Sequence, residues 1–147
     1  MKHRLYFAIV LCGLTVAAPG IAQEKMTLGD LKAGNAQRLS RSDLQTLVPG
    51  ANVVNIAANG SERRWTNGKD GMFVASTTNA GAVGLSVSTT GNGSWSIDDD
   101  GRYCATIEWP SRSEKWCRVI YRMGDAYYGI GSLKRDTNRA YRYEFKK

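Results

Sequence analysis

The chain has 147 residues, with 20 Lys and Arg against 13 Asp and Glu, a formal net charge of +7, and 42% hydrophobic residues. This length is that of one domain with a core of its own. Beyond residue 22 no run is apolar and long enough to cross a bilayer, so we expect no transmembrane segment there.

The N-terminus predicts a secretory signal peptide over residues 1–22. Lys2 and Arg4 precede an uncharged apolar run over 5–18, and Gly20-Ile21-Ala22 offers a small-x-small cleavage site. An uncleaved anchor is the alternative. Cleavage after residue 22 leaves 147 − 22 = 125 residues, and it predicts a periplasmic or secreted protein.

Loss of the leader changes the chemistry that is available. The one histidine, His3, and one of the three cysteines, Cys12, lie within it. The remaining Cys104 and Cys117 predict a disulfide in an oxidising compartment. Without histidine or free thiol there is no Ser-His-Asp or Cys-His machinery and no imidazole-ligated metal. We therefore predict a protein that is not an enzyme and has no cofactor, metal or catalytic residue.

Residues 23–50 predict a broken helical segment. Gly34-Asn35 interrupts the first part. Ser40 is a predicted N-cap for a second helix, with Asp43 in its first turn, and Pro49-Gly50 ends it. We expect this short amphipathic helix to lie over a sheet.

Residues 51–147 predict an antiparallel β domain. Turn signals recur about every ten residues, and no βαβ alternation is present, so we expect an antiparallel meander that forms a small barrel or a sandwich. Asn59-Gly60 predicts a hairpin and Gly91-Asn92-Gly93 a turn. The predicted strand segments are 53–56, 63–66, 72–75, 83–87, 94–97, 103–109, 116–123, 127–131 and 141–145.

The disulfide conflicts with the apolar alternation of its two strands. Tyr103 and Ile107 share the apolar face that is opposite Cys104, whereas Cys117 shares a face with Val119. Matching the apolar faces would put the two sulfurs on opposite sides of the hairpin. We therefore expect a bulge or another irregularity there.

The acidic residues do not form a recognisable catalytic pair. The run 98–101 (Asp-Asp-Asp-Gly) lacks the full spacing of a calcium loop, so an acidic turn is the simpler interpretation. Glu108 is expected to face outward near Lys115, and no carboxylate pair for glycoside hydrolysis is identifiable.

Aromatic and basic residues mingle in the second half of the chain. From Arg102 to Lys147 there are 11 basic and 5 acidic residues, which favours an anionic glycan, a lipid headgroup or an envelope protein as partner. Export disfavours nucleic acid, and core packing is the alternative role for these side chains. The candidate ligand or partner contacts are Trp65, Trp109, Trp116, Arg118, Tyr121, Arg122, Tyr127 and Tyr128.

The second half also carries a resemblance. Gly93-Ser94-Trp95, Gly101-Arg102-Tyr103-Cys104 and then Cys117 form a G-x-W…G-x-x-C…C pattern. This resembles small exported proteobacterial proteins of an uncharacterised domain family. The resemblance implies an exported β domain with a disulfide, and it carries over no functional residues.

Three hypotheses for the function follow. The favoured one is an exported binding module that holds a small molecule, a glycan or an envelope component on a β-barrel surface or mouth. The second is a protein-interaction or inhibitor protein of the cell envelope. A carboxylate- or tyrosine-dependent enzyme is the third and least favoured.

Overall fold

The computed structural model describes residues 25–56, 61–80 and 86–147, so the predicted leader and the Asn59-Gly60 hairpin lie outside the described residues. Within these ranges no helix has the length and apolar character that crossing a membrane requires. The elements in chain order are α1 (Leu28–Ala33), β1 (Gln37–Arg38), α2 (Arg41–Leu47), β2 (Asn52–Ile56), β3 (Glu62–Thr66), β4 (Met72–Ala80), β5 (Ser86–Ile97), β6 (Tyr103–Trp109), β7 (Arg112–Met123), β8 (Ala126–Ile130) and β9 (Ala140–Lys146).

Strands β2 to β9 form a closed antiparallel barrel. Each strand pairs with the next along the chain, and β9 also pairs with β2, from Asn52 opposite Lys146 to Ile56 opposite Arg142. The short β1 adds to β7 outside this ring. The predicted mainly β antiparallel meander is confirmed, and between a barrel and a sandwich the fold is a barrel.

Alternate residues of each strand fill the barrel. On β6, Tyr103, Ala105, Ile107 and Trp109 are buried and define the inward face. Because directly opposite residues of antiparallel neighbours lie on one face, the register carries this assignment around the ring. Aromatic rings dominate the packing, as in the stacked pair of Trp65 and the Phe73 ring, whose centroids are 5.5 Å apart.

Helix α2 closes one end of the barrel. Ser40 and Asp43 form a reciprocal capping box at its start, as predicted. Leu44 and Val48 are fully buried and join the cluster of inward-facing barrel residues. The helix therefore covers an end of the barrel. The expectation that it would lie over the face of a sheet was wrong, because the apolar face of a closed sheet points into the barrel and can be reached only through an open end.

Helix α1 covers part of the outer surface. Leu28 and Leu31 are fully buried against Ile130 and Ala140, in a cluster separate from the barrel interior. Thr27 caps the helix through its own reciprocal pair with Asp30. The outer face of β7 and β8 thus has a small core of its own.

The disulfide lies in an uninterrupted hairpin. Cys104 is directly opposite Cys117, in a register that runs without a break from Tyr103–Arg118 to Trp109–Arg112. The expected irregularity was therefore wrong. Strand β7 has two apolar faces: Ile120 faces the interior, whereas Val119 shares the outer face with Cys117.

Strand β5 is also more regular than predicted. Ser86–Ile97 is one strand that contains Gly91 and Gly93, so the turn predicted at this position was wrong. A Cβ atom at Gly93 would lie 2.2 Å from the Phe73 ring. Glycine occurs here because an inward aromatic ring occupies that space, and not because the chain reverses.

Candidate functional site in the barrel interior

The barrel interior becomes polar at the end opposite α2, which we call the far end. The chain reverses here between β2 and β3, β4 and β5, β6 and β7, and β8 and β9. Arg63 lies opposite Asn55 and Thr77 in the register, and Glu114 lies opposite the fully buried Ile107. These side chains therefore share the inward face.

A bidentate ion pair crosses the interior at the far end. The Arg63 guanidinium donates to both carboxylate oxygens of Glu114, at 2.6 and 3.1 Å. Their strands, β3 and β7, are four positions apart in the eight-stranded ring, so the pair joins opposite walls. Arg112 Nε also donates to Glu114, at 2.9 Å. The carboxylate thus has two cationic partners.

Arg118 has aromatic neighbours. Its guanidinium carbon lies 4.0 Å from the centroid of the Tyr141 ring and 5.2 Å from that of Trp116, which is cation–π geometry. Among the described residues, no carboxylate lies within ion-pair distance of it. Tyr143 lies beside Arg118. Both side chains occupy the space next to Gly129, where a Cβ atom would touch the Tyr143 ring and the Arg118 side chain.

Three buried polar atoms of this interior have no hydrogen-bond partner among the described residues: Trp109 Nε1, Arg118 Nε and the Tyr143 hydroxyl. The guanidinium of Arg63 lies 5.8 Å from the centroid of the Trp109 ring. Buried polar atoms are nearly always hydrogen-bonded, so each such group calls for a ligand or an ordered water.

The Tyr143 hydroxyl is neutral at ordinary pH. Burial raises its pKa to about 12, although the charges of Arg118 and Arg63 and a weak hydrogen-bonding contact with the Arg118 side chain act in the opposite direction. A neutral phenol retains its proton and can donate it in a hydrogen bond. The indole and guanidinium nitrogens can only donate, so the three unpaired atoms favour a ligand with acceptor atoms.

The grouping that most resembles a metal site does not fit one. Asp98, Cys104 and Cys117 have potential ligand atoms within 4.8 Å of one another, but both sulfurs belong to the disulfide. A disulfide offers no thiolate to a metal. This part of the described chain is a cross-linked hairpin and not a metal centre.

The acidic run 98–101 forms a turn, as the simpler interpretation predicted. The Asp98 carboxylate accepts hydrogen bonds from the backbone N–H and Nε of Arg102. Gly101 has a φ of +70°, which glycine adopts without strain. Arg41 pairs with the Asp99 carboxylate and Arg102 with that of Asp100, so arginine side chains lie beside the charges of this turn.

The eight residues predicted from the sequence as contacts fall into separate places. Trp109 and Arg118 line the far end with the half-buried Trp116. Trp65 is in the core, where its Nε1 donates to Asn67 Oδ1 and to the Tyr103 hydroxyl.

The other four lie away from this site. Tyr127 packs edge-on against Phe145 within the interior cluster. Arg122 donates from Nε to the Gly124 carbonyl at the turn after β7. Tyr121 and Tyr128 pack on the outside against the cluster of α1.

The sequence analysis missed Arg63, Glu114 and Tyr143 as site residues. The alternation of β6 carries the missing signal, because Tyr103 and Ile107 face inward and their register partners Arg118 and Glu114 must do the same. The positions of Arg63 and Tyr143 follow only from the closure of the ring, which puts Asn55 between them.

These features define a class: small closed barrels of eight antiparallel strands, plugged by a helix at one end and rich in arginine inside the other. The chain belongs to the family described as "Protein of unknown function (DUF995)", whose model matches residues 17–118. The match confirms the resemblance to an uncharacterised domain family. It ends within β7, so β8 and β9, with Tyr143, lie beyond it.

Neither the curated proteins nor the solved structures contain a match to this chain.

Proposed function

We propose that the protein is an exported, non-catalytic binding module that holds a small molecule inside the far end of its barrel. The observation that carries this proposal is the set of three buried, unpaired polar atoms on Trp109, Arg118 and Tyr143. An eight-stranded barrel is just wide enough to hold side chains or one small ligand. Unpaired buried donors are costly, and a ligand with acceptor atoms would relieve that cost.

Export is supported by the disulfide and by the predicted leader. Cys104 and Cys117 are bonded in register, and stable disulfides belong to oxidising compartments. Finding the chain in the cytosol with its leader intact and both thiols free would contradict this part of the proposal.

A binding role is favoured over catalysis by the state of the interior carboxylate. Glu114, the one inward carboxylate among the described residues, is held by Arg63 and Arg112. A general acid or base needs a free, suitably tuned group within reach of substrate. An ion-paired carboxylate without a second titrating partner does not meet that need.

The test is native mass spectrometry of the protein purified from the exported fraction and incubated with a low-molecular-weight extract of the cell envelope. We expect an adduct of one small molecule on the wild type. Trp109→Phe keeps an aromatic ring and removes the unpaired N–H, so it should weaken the adduct.

Trp95→Phe is the matched control, because Trp95 Nε1 donates to the Gly68 carbonyl at the α2 end. This variant should bind as the wild type does. Only bare-chain masses in all three proteins would contradict a small-molecule role. A stoichiometric protein partner in place of the small molecule would favour the interaction or inhibitor hypothesis.

A further inference from the structure

The charges inside the far end do not balance. Arg63 and Arg118 lie there, with the more exposed Arg112 at the rim. Glu114 is the one inward carboxylate of the described chain, and it pairs with Arg63 and Arg112. The segments 57–60 and 81–85 contain no Asp or Glu in the sequence. One carboxylate therefore faces three guanidinium groups, and Arg118 has no carboxylate partner among the described residues.

Arg118 is also the least satisfied group of the three arginines. Its guanidinium faces the rings of Tyr141 and Trp116, and its buried Nε has no hydrogen-bond partner in the described structure. A half-buried cation without a counter-charge is costly, whereas one paired with a hydrogen-bonded anion is not. A guanidinium group presents two parallel N–H donors in one plane, and these can bind two oxygen atoms of a carboxylate or another oxyanion.

The neighbouring groups are donors as well. The Tyr143 hydroxyl is fully buried next to Arg118, with Gly129 leaving the space that both side chains occupy. The Arg63 guanidinium lies over the ring of Trp109, whose Nε1 is unpaired. The unpaired donors surround a guanidinium that has no carboxylate partner. Such a group of side chains selects a ligand by its negative charge as well as by its shape.

We infer that the far end binds the oxyanion group of a small organic anion, with Arg118 supplying the compensating charge and Tyr143 a hydrogen bond. This inference rests on the proposed function and narrows it from any small molecule to an acidic one. Trp116 and Tyr141 would flank the anionic group.

The test uses benzoate and benzamide, which have the same shape and differ by one negative charge. The four tryptophans of the chain provide indole N–H signals in the ¹⁵N spectrum of the exported, oxidised protein. We expect benzoate to shift the signals of Trp109 and Trp116, and to bind about tenfold more tightly than benzamide. Trp65 and Trp95, which already donate within the protein, should report an unchanged fold.

Arg118→Met should abolish the preference for benzoate, and Arg118→Lys should retain part of it because it keeps the charge without the fork. Arg142→Met is the matched control. It removes the same charge from the exposed outer face of β9, beside Glu144, and should leave the preference unchanged.

The outcomes separate the two proposals. Equal binding of benzoate and benzamide, or an unchanged preference in Arg118→Met, would overturn the anion inference and leave a neutral ligand in the barrel. No shift of Trp109 or Trp116 with either probe at millimolar concentration would also overturn the anion inference, whereas the proposed function would be contradicted only by the mass-spectrometric result.

Discussion

Asn67 connects three parts of the core through one side chain. It is fully buried, and its Oδ1 accepts hydrogen bonds from Trp65 Nε1 and the Tyr103 hydroxyl. Its Nδ2 donates to the carbonyl of Val48, just after α2. The barrel wall and the helix that closes it thus depend on the same amide.

We predict that Asn67→Ala lowers the free energy of unfolding by about 2 kcal/mol or more, because the buried Tyr103 hydroxyl loses its acceptor and the Val48 carbonyl loses one of its two donors. Urea denaturation measures this change. Asn52→Ala is the control, since Asn52 is exposed and its side chain accepts from Thr66 alone; it should cost less than about 1 kcal/mol. Equal costs for the two variants would contradict the role assigned to Asn67.

The β6–β7 hairpin is the element where the covalent cross-link acts. Cys104 and Cys117 are 13 residues apart in the chain, so the bond removes a modest amount of chain entropy from the unfolded state. The strand pairing continues without a bulge at the disulfide, because the two cysteines lie directly opposite each other in the register.

We predict that the double variant Cys104→Ala, Cys117→Ala is about 3 kcal/mol less stable than the oxidised wild type. The measurement is urea denaturation with and without reducing agent. Reduction should lower the stability of the wild type by a similar amount and leave the double variant unchanged. A wild type that is insensitive to reduction would show that the bond does not contribute to stability.

At the scale of the whole molecule, the pair of Arg63 and Glu114 joins walls on opposite sides of the barrel. Both side chains are mostly buried, at 24% and 20% exposure. A bidentate pair in such a place is strongly coupled, even where its net contribution to stability is small.

A double-mutant cycle with Arg63→Met and Glu114→Gln should give a coupling energy of about 1–3 kcal/mol. The same cycle on Arg142 and Glu144, an outer pair 3.8 Å apart, should give about 0.5 kcal/mol or less. Similar values for both cycles would mean that the interior pair is as solvated as the surface one.

The sequence predicted the inward face of a strand correctly wherever only one face of that strand is apolar. Strand β6 alternates buried and less buried residues from Tyr103 to Trp109, and the cap of α2 at Ser40 follows from local hydrogen bonding. Strand β7 was predicted over 116–123, but its inward face was not, because α1 covers its outer face and gives it a second apolar side. The glycines of β5 were misinterpreted as a turn for a similar reason, since the side chains that crowd them, Phe73 at Gly93 and Trp109 at Gly91, lie on other strands.

The sequence by itself determined an antiparallel meander, a broken helical segment with a cap at Ser40 and a cysteine pair, because each depends on neighbours a few residues away. Only the tertiary structure decided that the meander closes, since β2 and β9 meet across some ninety residues of chain. Closure of the sheet also creates the barrel interior. It brings Arg63 into contact with Glu114, and it encloses Arg118 together with Tyr143. Side chains from three strands can share a low-dielectric space only when the ring around them is complete.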